Sequence, residues 1–209
     1  MKSIAIILSG LALVAAQPAS AAVINSLPGG VAQVMPALEA FTAGPVTFGD
    51  ITYASTNSYG VIGYTGGYGF GSNGMWYGNP MAGLNTGVGE MTFTFATPLS
   101  AILADLNWAP GNGGAATMSI YNAADQLLET LQLDDGFANN FAPGYFGFQR
   151  AQGDIAKLTL SNDYIGAQNF SLVTGVAGVP EPGTWALMLV GFGGAGLALR
   201  NRRRALVAA

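Results

Sequence analysis

Alternation with a period of two, broken every few residues by turn-forming clusters, constrains this chain more than any other feature. Met91, Phe93 and Phe95 share one face while Thr92 and Thr94 take the other, the pattern of a half-buried strand. In residues 46–53, Val46, Phe48 and Asp50 lie on one face and Ile51 and Tyr53 on the other, which predicts a kink or bulge near Gly49. Residues 101–108 are apolar enough for a central strand. Met118 with Ile120, Phe146 with Phe148, Ala156 with Leu158 and Leu160, and Phe170 with Leu172 extend the set. Leu127, Leu131 and Leu133 share a face with Glu129, which argues for an edge strand. Between these runs lie turn formers at 110–114, 122–125, 134–136, 152–154 and 162–163. Val31, Val34, Leu38 and Phe41 fall at roughly helical spacing interrupted by Pro36, so one short helix is expected there. Eight or nine short strands without long helices predict an all-β, antiparallel β-sandwich.

The chemistry available to such a domain is narrow. The chain has 209 residues, with no His and no Cys. Thiol nucleophiles, disulfides, thiolate or imidazole metal sites and every His-based catalytic scheme are thereby excluded. Residues 22–179 hold ten acids against only Arg150 and Lys157, a balance of −8. Such a surface repels phosphate backbones, so no nucleic acid is expected as a partner. No cofactor and no metal site is expected. Asp134 and Asp135 offer hard oxygen ligands of the kind calcium takes, but no EF-hand spacing accompanies them. Residues 66–71 are Gly-rich without the strand–loop–helix setting of a phosphate cradle.

The two ends differ from the middle. Lys2 precedes an apolar run at 4–16, then Gln17, Pro18 and the small residues 19–22. This is the build of a secretory signal peptide, residues 1–21, removed by signal peptidase. At the other end, Pro180, Glu181 and Pro182 form a stiff hinge, followed by Trp185, Ala186 and an apolar stretch to 199. Arg200, Arg202, Arg203 and Arg204 end it. A helix over 185–199 is ~22 Å long against a hydrocarbon core of ~30 Å, a short single transmembrane span. The arginines act as a membrane stop on the cytoplasmic side, leaving residues 22–178 outside.

This ending resembles the PEP-CTERM sorting signal in its PEPxxWA variant, common in Gram-negative bacteria. Pro180, Glu181 and Pro182 fit the tripeptide, Trp185 and Ala186 the variant pair, and the arginines the terminal stop. The region also goes under the label of an ice-binding protein C-terminal domain. The resemblance, over 179–204 of a sorting signal at 179–209, implies processing by an exosortase, a membrane-embedded cysteine protease that cuts near the tripeptide. It also implies transient membrane anchorage, then a place at the cell surface or outside it, in company with exopolysaccharide and biofilm. Residues 90–173 are similar in pattern to the jelly-roll ectodomains of many such proteins, so the sandwich is expected to be jelly-roll-like.

Catalysis would rest on carboxylates. Asp125, Asp134, Asp135, Asp154 and Asp163 fall in apparent turns, where Asp is favoured for backbone reasons. Nothing in the sequence brings two acids together, so no catalytic residue is assigned and the protein is expected not to be an enzyme. Residues 58–90 hold eleven glycines interleaved with Tyr59, Tyr64, Tyr68, Phe70, Trp76 and Tyr77. A long loop of this kind is either functional or tucked back onto the domain. Tyr64, Tyr68, Trp76, Tyr77 and Trp108 are the candidate glycan contacts, with Asn73 and Asn79 beside them, and the chain's acidity favours a neutral polysaccharide. The alternatives are a carbohydrate-active enzyme, an ice binder, or a structural envelope protein whose aromatics are buried. An ice binder needs a flat, regular Thr-rich face, and Thr92 and Thr94 are only a short pair.

Overall fold

The computed structural model describes residues 20–134, 141–175, 188 and 190–194. Most of the signal peptide, Asp135, the Pro-Glu-Pro motif with Trp185 and Ala186, and the four terminal arginines lie outside the described residues. Residues 188 and 190–194 are helical. Among the described residues, no helix is long and apolar enough to cross a membrane. Residues 19–178 make up one compact unit.

The strands are β1 (Ala22–Ile24), β2 (Val31–Ala32), β3 (Ala40–Phe41), β4 (Val46–Phe48), β5 (Ile51–Ser55), β6 (Val61–Tyr64), β7 (Tyr68–Gly69) and β8 (Met75–Trp76). They continue with β9 (Met81–Gly83), β10 (Glu90–Asn107), β11 (Thr117–Tyr121), β12 (Leu127–Gln132), β13 (Gly144–Gln149), β14 (Ile155–Ser161) and β15 (Gly166–Thr174). Every pairing among them is antiparallel. The predicted sandwich is therefore the observed one.

Strand β10 explains how one chain makes two layers. Its first half runs between β14 and β5, with Phe93 opposite Leu158 and Tyr53. Its second half runs between β13 and β15, with Ile102 opposite Phe148 and Leu172. Ala96, Thr97 and Pro98 are exposed at the corner between the halves. There a residue lacking an N–H interrupts the ladder at no cost to a buried pair. The inner faces meet ring to ring: the Phe93 and Phe170 centroids are 4.8 Å apart and those of Phe48 and Phe170 5.9 Å. β12 is an edge strand, as Glu129 on its face suggests, and Leu127 at its start is exposed.

Two expectations are corrected. Residues 46–53 form not one kinked strand but a hairpin, with Phe48 opposite Ile51 and Gly49 at φ +52° in the turn. Residues 31–41 form no helix. β2 pairs with β15, and the Gln33 N–H reaches the Phe170 carbonyl at 2.8 Å. Edge pairing thus outweighs the apolar spacing, and Val31, Val34, Leu38 and Phe41 all end up exposed.

Candidate functional site

The Gly-rich segment is built structure rather than a long loop. β6 and β9 extend the second layer beside β15, and β7 and β8 form a small separate hairpin around a 3-10 turn at Gly71–Asn73. Its rings form a continuous ladder. Phe41 meets Tyr64 at 5.6 Å, Tyr64 meets Tyr68 at 6.5 Å, Tyr68 meets Phe70 at 5.1 Å and Phe70 meets Trp76 at 5.0 Å. Edge-on and tilted pairs of this kind exceed the value of their buried area. The ladder packs into a second apolar cluster with Val61, Met81 and Ala109. Gly166 of β15 makes room for it, since a Cβ there would stand 2.7 Å from Phe70.

Of the five candidate glycan contacts, the structure brings Tyr64, Tyr68 and Trp76 together. Tyr68 is buried, and its hydroxyl accepts the Asn85 N–H at 2.9 Å. Burial pushes its ionisation upward against that hydrogen bond, so it stays a neutral phenol. Tyr64 and Tyr68 line a concavity of about 250 Å³ with Phe41, Asn85 and Tyr164. Tyr77 stands apart at 79% exposure. Trp108 is a correction: it is wholly buried against Phe146 at 6.1 Å and offers no face to a sugar. It follows β10 directly, and its carbonyl accepts the Asn73 amide at 2.9 Å. Asn107 in turn donates to the Asn73 carbonyl at 3.2 Å. Asn73 therefore fastens the Gly-rich turn to β10 instead of facing a ligand.

A larger groove of about 550 Å³ opens on the outer face of the second layer. Leu103 of β10, Tyr145 of β13, and Asn169 and Ser171 of β15 lie along it, flanked by residues 32–35 and by Asn79 and Pro80. None of its lining side chains is charged. Tyr145 and Asn169 were not among the candidates, although Tyr145 is legible as the residue out of phase with Phe146 and Phe148.

The turn aspartates among the described residues divide into two kinds. Asp125 pairs with Lys157 at 2.7 Å, and Asp154 with Arg150 at 2.7 Å. Asp134 and Asp163 are instead buried. Burial and, next, the Asp134 charge raise the Asp163 pKa above its ordinary 3.8, while the amides of Asn112, Ala116 and Gly111 oppose the shift. Among the described residues, no group of three or more acids stands close enough to hold a metal ion.

A family model described as the PEP-CTERM protein-sorting motif matches residues 178–204, and it does not confirm the ice-binding label. No curated protein matches the chain. Two solved structures similar to part of it are mutants of a family 29 carbohydrate-binding module, from work on how such modules recognise ligands. One is 14% identical over 61% of this chain and 88% of the module, with a TM-score of 0.25. The other is 13% identical over 68% and 94%, with a TM-score of 0.26. The chain thus carries a PEP-CTERM protein-sorting motif at residues 178–204, after the residues that form an antiparallel β-sandwich.

Proposed function

We propose that this protein is an exported, non-enzymatic surface or extracellular-matrix protein, cut by an exosortase and associated with exopolysaccharide in a biofilm. The observation that carries the reading is the matched motif, with hinge, Trp185-Ala186, apolar run and arginines in working order. Signal peptidase removes residues 1–21, and the span at 185–199 holds the domain at the inner membrane until the exosortase cuts near Pro180–Pro182. The arginines stay cytoplasmic during that interval.

Two features support a binding rather than a catalytic role. Glycoside cleavage needs two carboxylates about 5–9.5 Å apart across an open cleft. The two acids that influence each other, Asp134 and Asp163, are shut away from solvent. The outer groove combines a ring, amides and a hydroxyl without charge, a surface suited to neutral sugars.

The test is the mass of the mature protein from producing cells, beside a variant with Pro180, Glu181 and Pro182 replaced by alanine. Native protein ending near residue 180, with the variant retaining its tail in the membrane, is the expected result. Retention of residues 200–209 in both overturns exosortase processing.

A further inference from the structure

The outer groove is shaped by a defect in strand pairing. Leu103 of β10 faces Ser171, but Asp105 faces Gln168, so Asn169 and Phe170 together oppose Ala104 alone. This is a β-bulge, a device that re-aims side chains and recurs beside functional sites. Asn169 sits in it at φ +52°, a left-handed conformation that Asn tolerates better than other side chains. Regular alternation from buried Ala167 would point residue 169 into the core. The bulge sends Phe170 there instead and leaves Gln168 and Asn169 both on the outer side.

The neighbouring rows complete the surface. Tyr145, Asp105 and Gln168 are in register across β13, β10 and β15, and Gln168 Nε2 donates to Asp105 Oδ2 at 2.9 Å. Gln168 is 6% exposed, and its Oε1 has no hydrogen-bond partner. In the next row, Gly147 opposite Leu103 adds no side chain beside the 45%-exposed Tyr145 ring.

We infer that this groove is the polysaccharide site and that it takes a neutral pyranose chain. The inference rests on the polysaccharide reading above. The Tyr145 ring stacks on the apolar face of one sugar, and Asn79, Asn169 and Ser171 meet its hydroxyls. With no cationic side chain in the lining and an acidic domain around it, uronate or phosphate chains find nothing to balance their charge.

Affinity gel electrophoresis of the mature exported protein tests this. The gels hold mixed-linkage β-glucan, glucomannan, dextran, the producing cells' own exopolysaccharide, or anionic alginate. The wild-type protein is expected to be retarded in at least one neutral gel. Tyr145→Ala should weaken that binding at least tenfold, Tyr145→Phe should keep it, and Asn169→Gly, which suits the backbone, should weaken it severalfold. Tyr77→Ala should match wild type. Unchanged retardation of Tyr145→Ala and Asn169→Gly overturns the site while leaving the polysaccharide reading in place. No retardation of wild type in any neutral gel overturns both, and retardation by alginate alone overturns the neutral class.

Discussion

Phe48, Phe93 and Phe170 meet because the register of long paired strands brings them to the same place from opposite layers, Phe170 by way of a bulge in β15. Tyr64, Tyr68, Phe70 and Trp76 meet by another route. The strands that carry or adjoin them are two to four residues long, and glycines between them let the backbone fold back so that each ring abuts the next. The first set belongs to a cluster spanning nearly every strand of the sandwich, the second to a cluster of five buried residues at its margin. The contrast teaches that aromatic content alone does not distinguish a core from a contact surface. What decides is whether strand register or glycine geometry sets the ring's direction.

The largest expected effect breaks the first region. Phe93→Ala removes a fully buried ring touching Tyr53 and Phe170 and should cost about 3–5 kcal/mol in denaturant unfolding. Phe70→Ala removes an equally buried ring, but from the smaller cluster, which opens locally at less cost. It should lose about 3 kcal/mol or less. A greater loss for Phe70 than for Phe93 would erase the distinction between the two regions.

Between the regions lies a seam where backbones touch. The amides of Asn162, Asp163 and Tyr164 donate to the carbonyls of Gly89, Gly87 and Thr86 at 3.1, 3.0 and 3.2 Å. A side chain at Gly87 would run into the Asn112 carbonyl. Gly87→Ala should therefore cost about 1–3 kcal/mol by overpacking, read as a lowered denaturation midpoint. A neutral result would mean the 110–114 turn yields freely.

Much of this was open to inspection in the sequence, and the gaps have physical causes. Met91, Phe93 and Phe95 alternate so cleanly that their burial could be read directly, and Glu129 marked its strand as an edge. The continuity of β10 through Ala96–Pro98 was hidden, because a proline corner and a strand end look alike in one dimension. The burial of Trp108 is not legible because it lies just past the end of β10, where strand alternation no longer fixes which way a side chain faces. The groove was invisible for a similar reason. A bulge at Asn169 is a property of two strands paired, and only one of them contains the Asn.

Asp163 gives a pH-dependent test of the seam. Its folded pKa lies above the unfolded one, because burial and then Asp134 disfavour the carboxylate. Folded protein therefore holds this proton in a pH window where the unfolded chain has released it. Stability falls as pH rises through that window and is flat above it. Asp163→Asn keeps the left-handed turn and an acceptor for the loop amides while removing the charge. Thermal melts should show the wild type gaining stability relative to the variant as pH drops from neutral toward 4. Parallel melting curves across that range would contradict a raised Asp163.

The smallest effect is the most diagnostic for the Gly-rich segment. Tyr77 follows β8 directly and is 79% exposed, whereas Trp76 packs on Phe70 at 5.0 Å. If the ladder ends at Trp76, Tyr77→Ala should change unfolding free energy by no more than about 0.5 kcal/mol. Trp76→Ala, one residue away, should be clearly destabilising. Equal effects at the two positions would mean that the hairpin carries its rings in no fixed direction. Its glycines would then be a source of looseness rather than the reason the ladder forms.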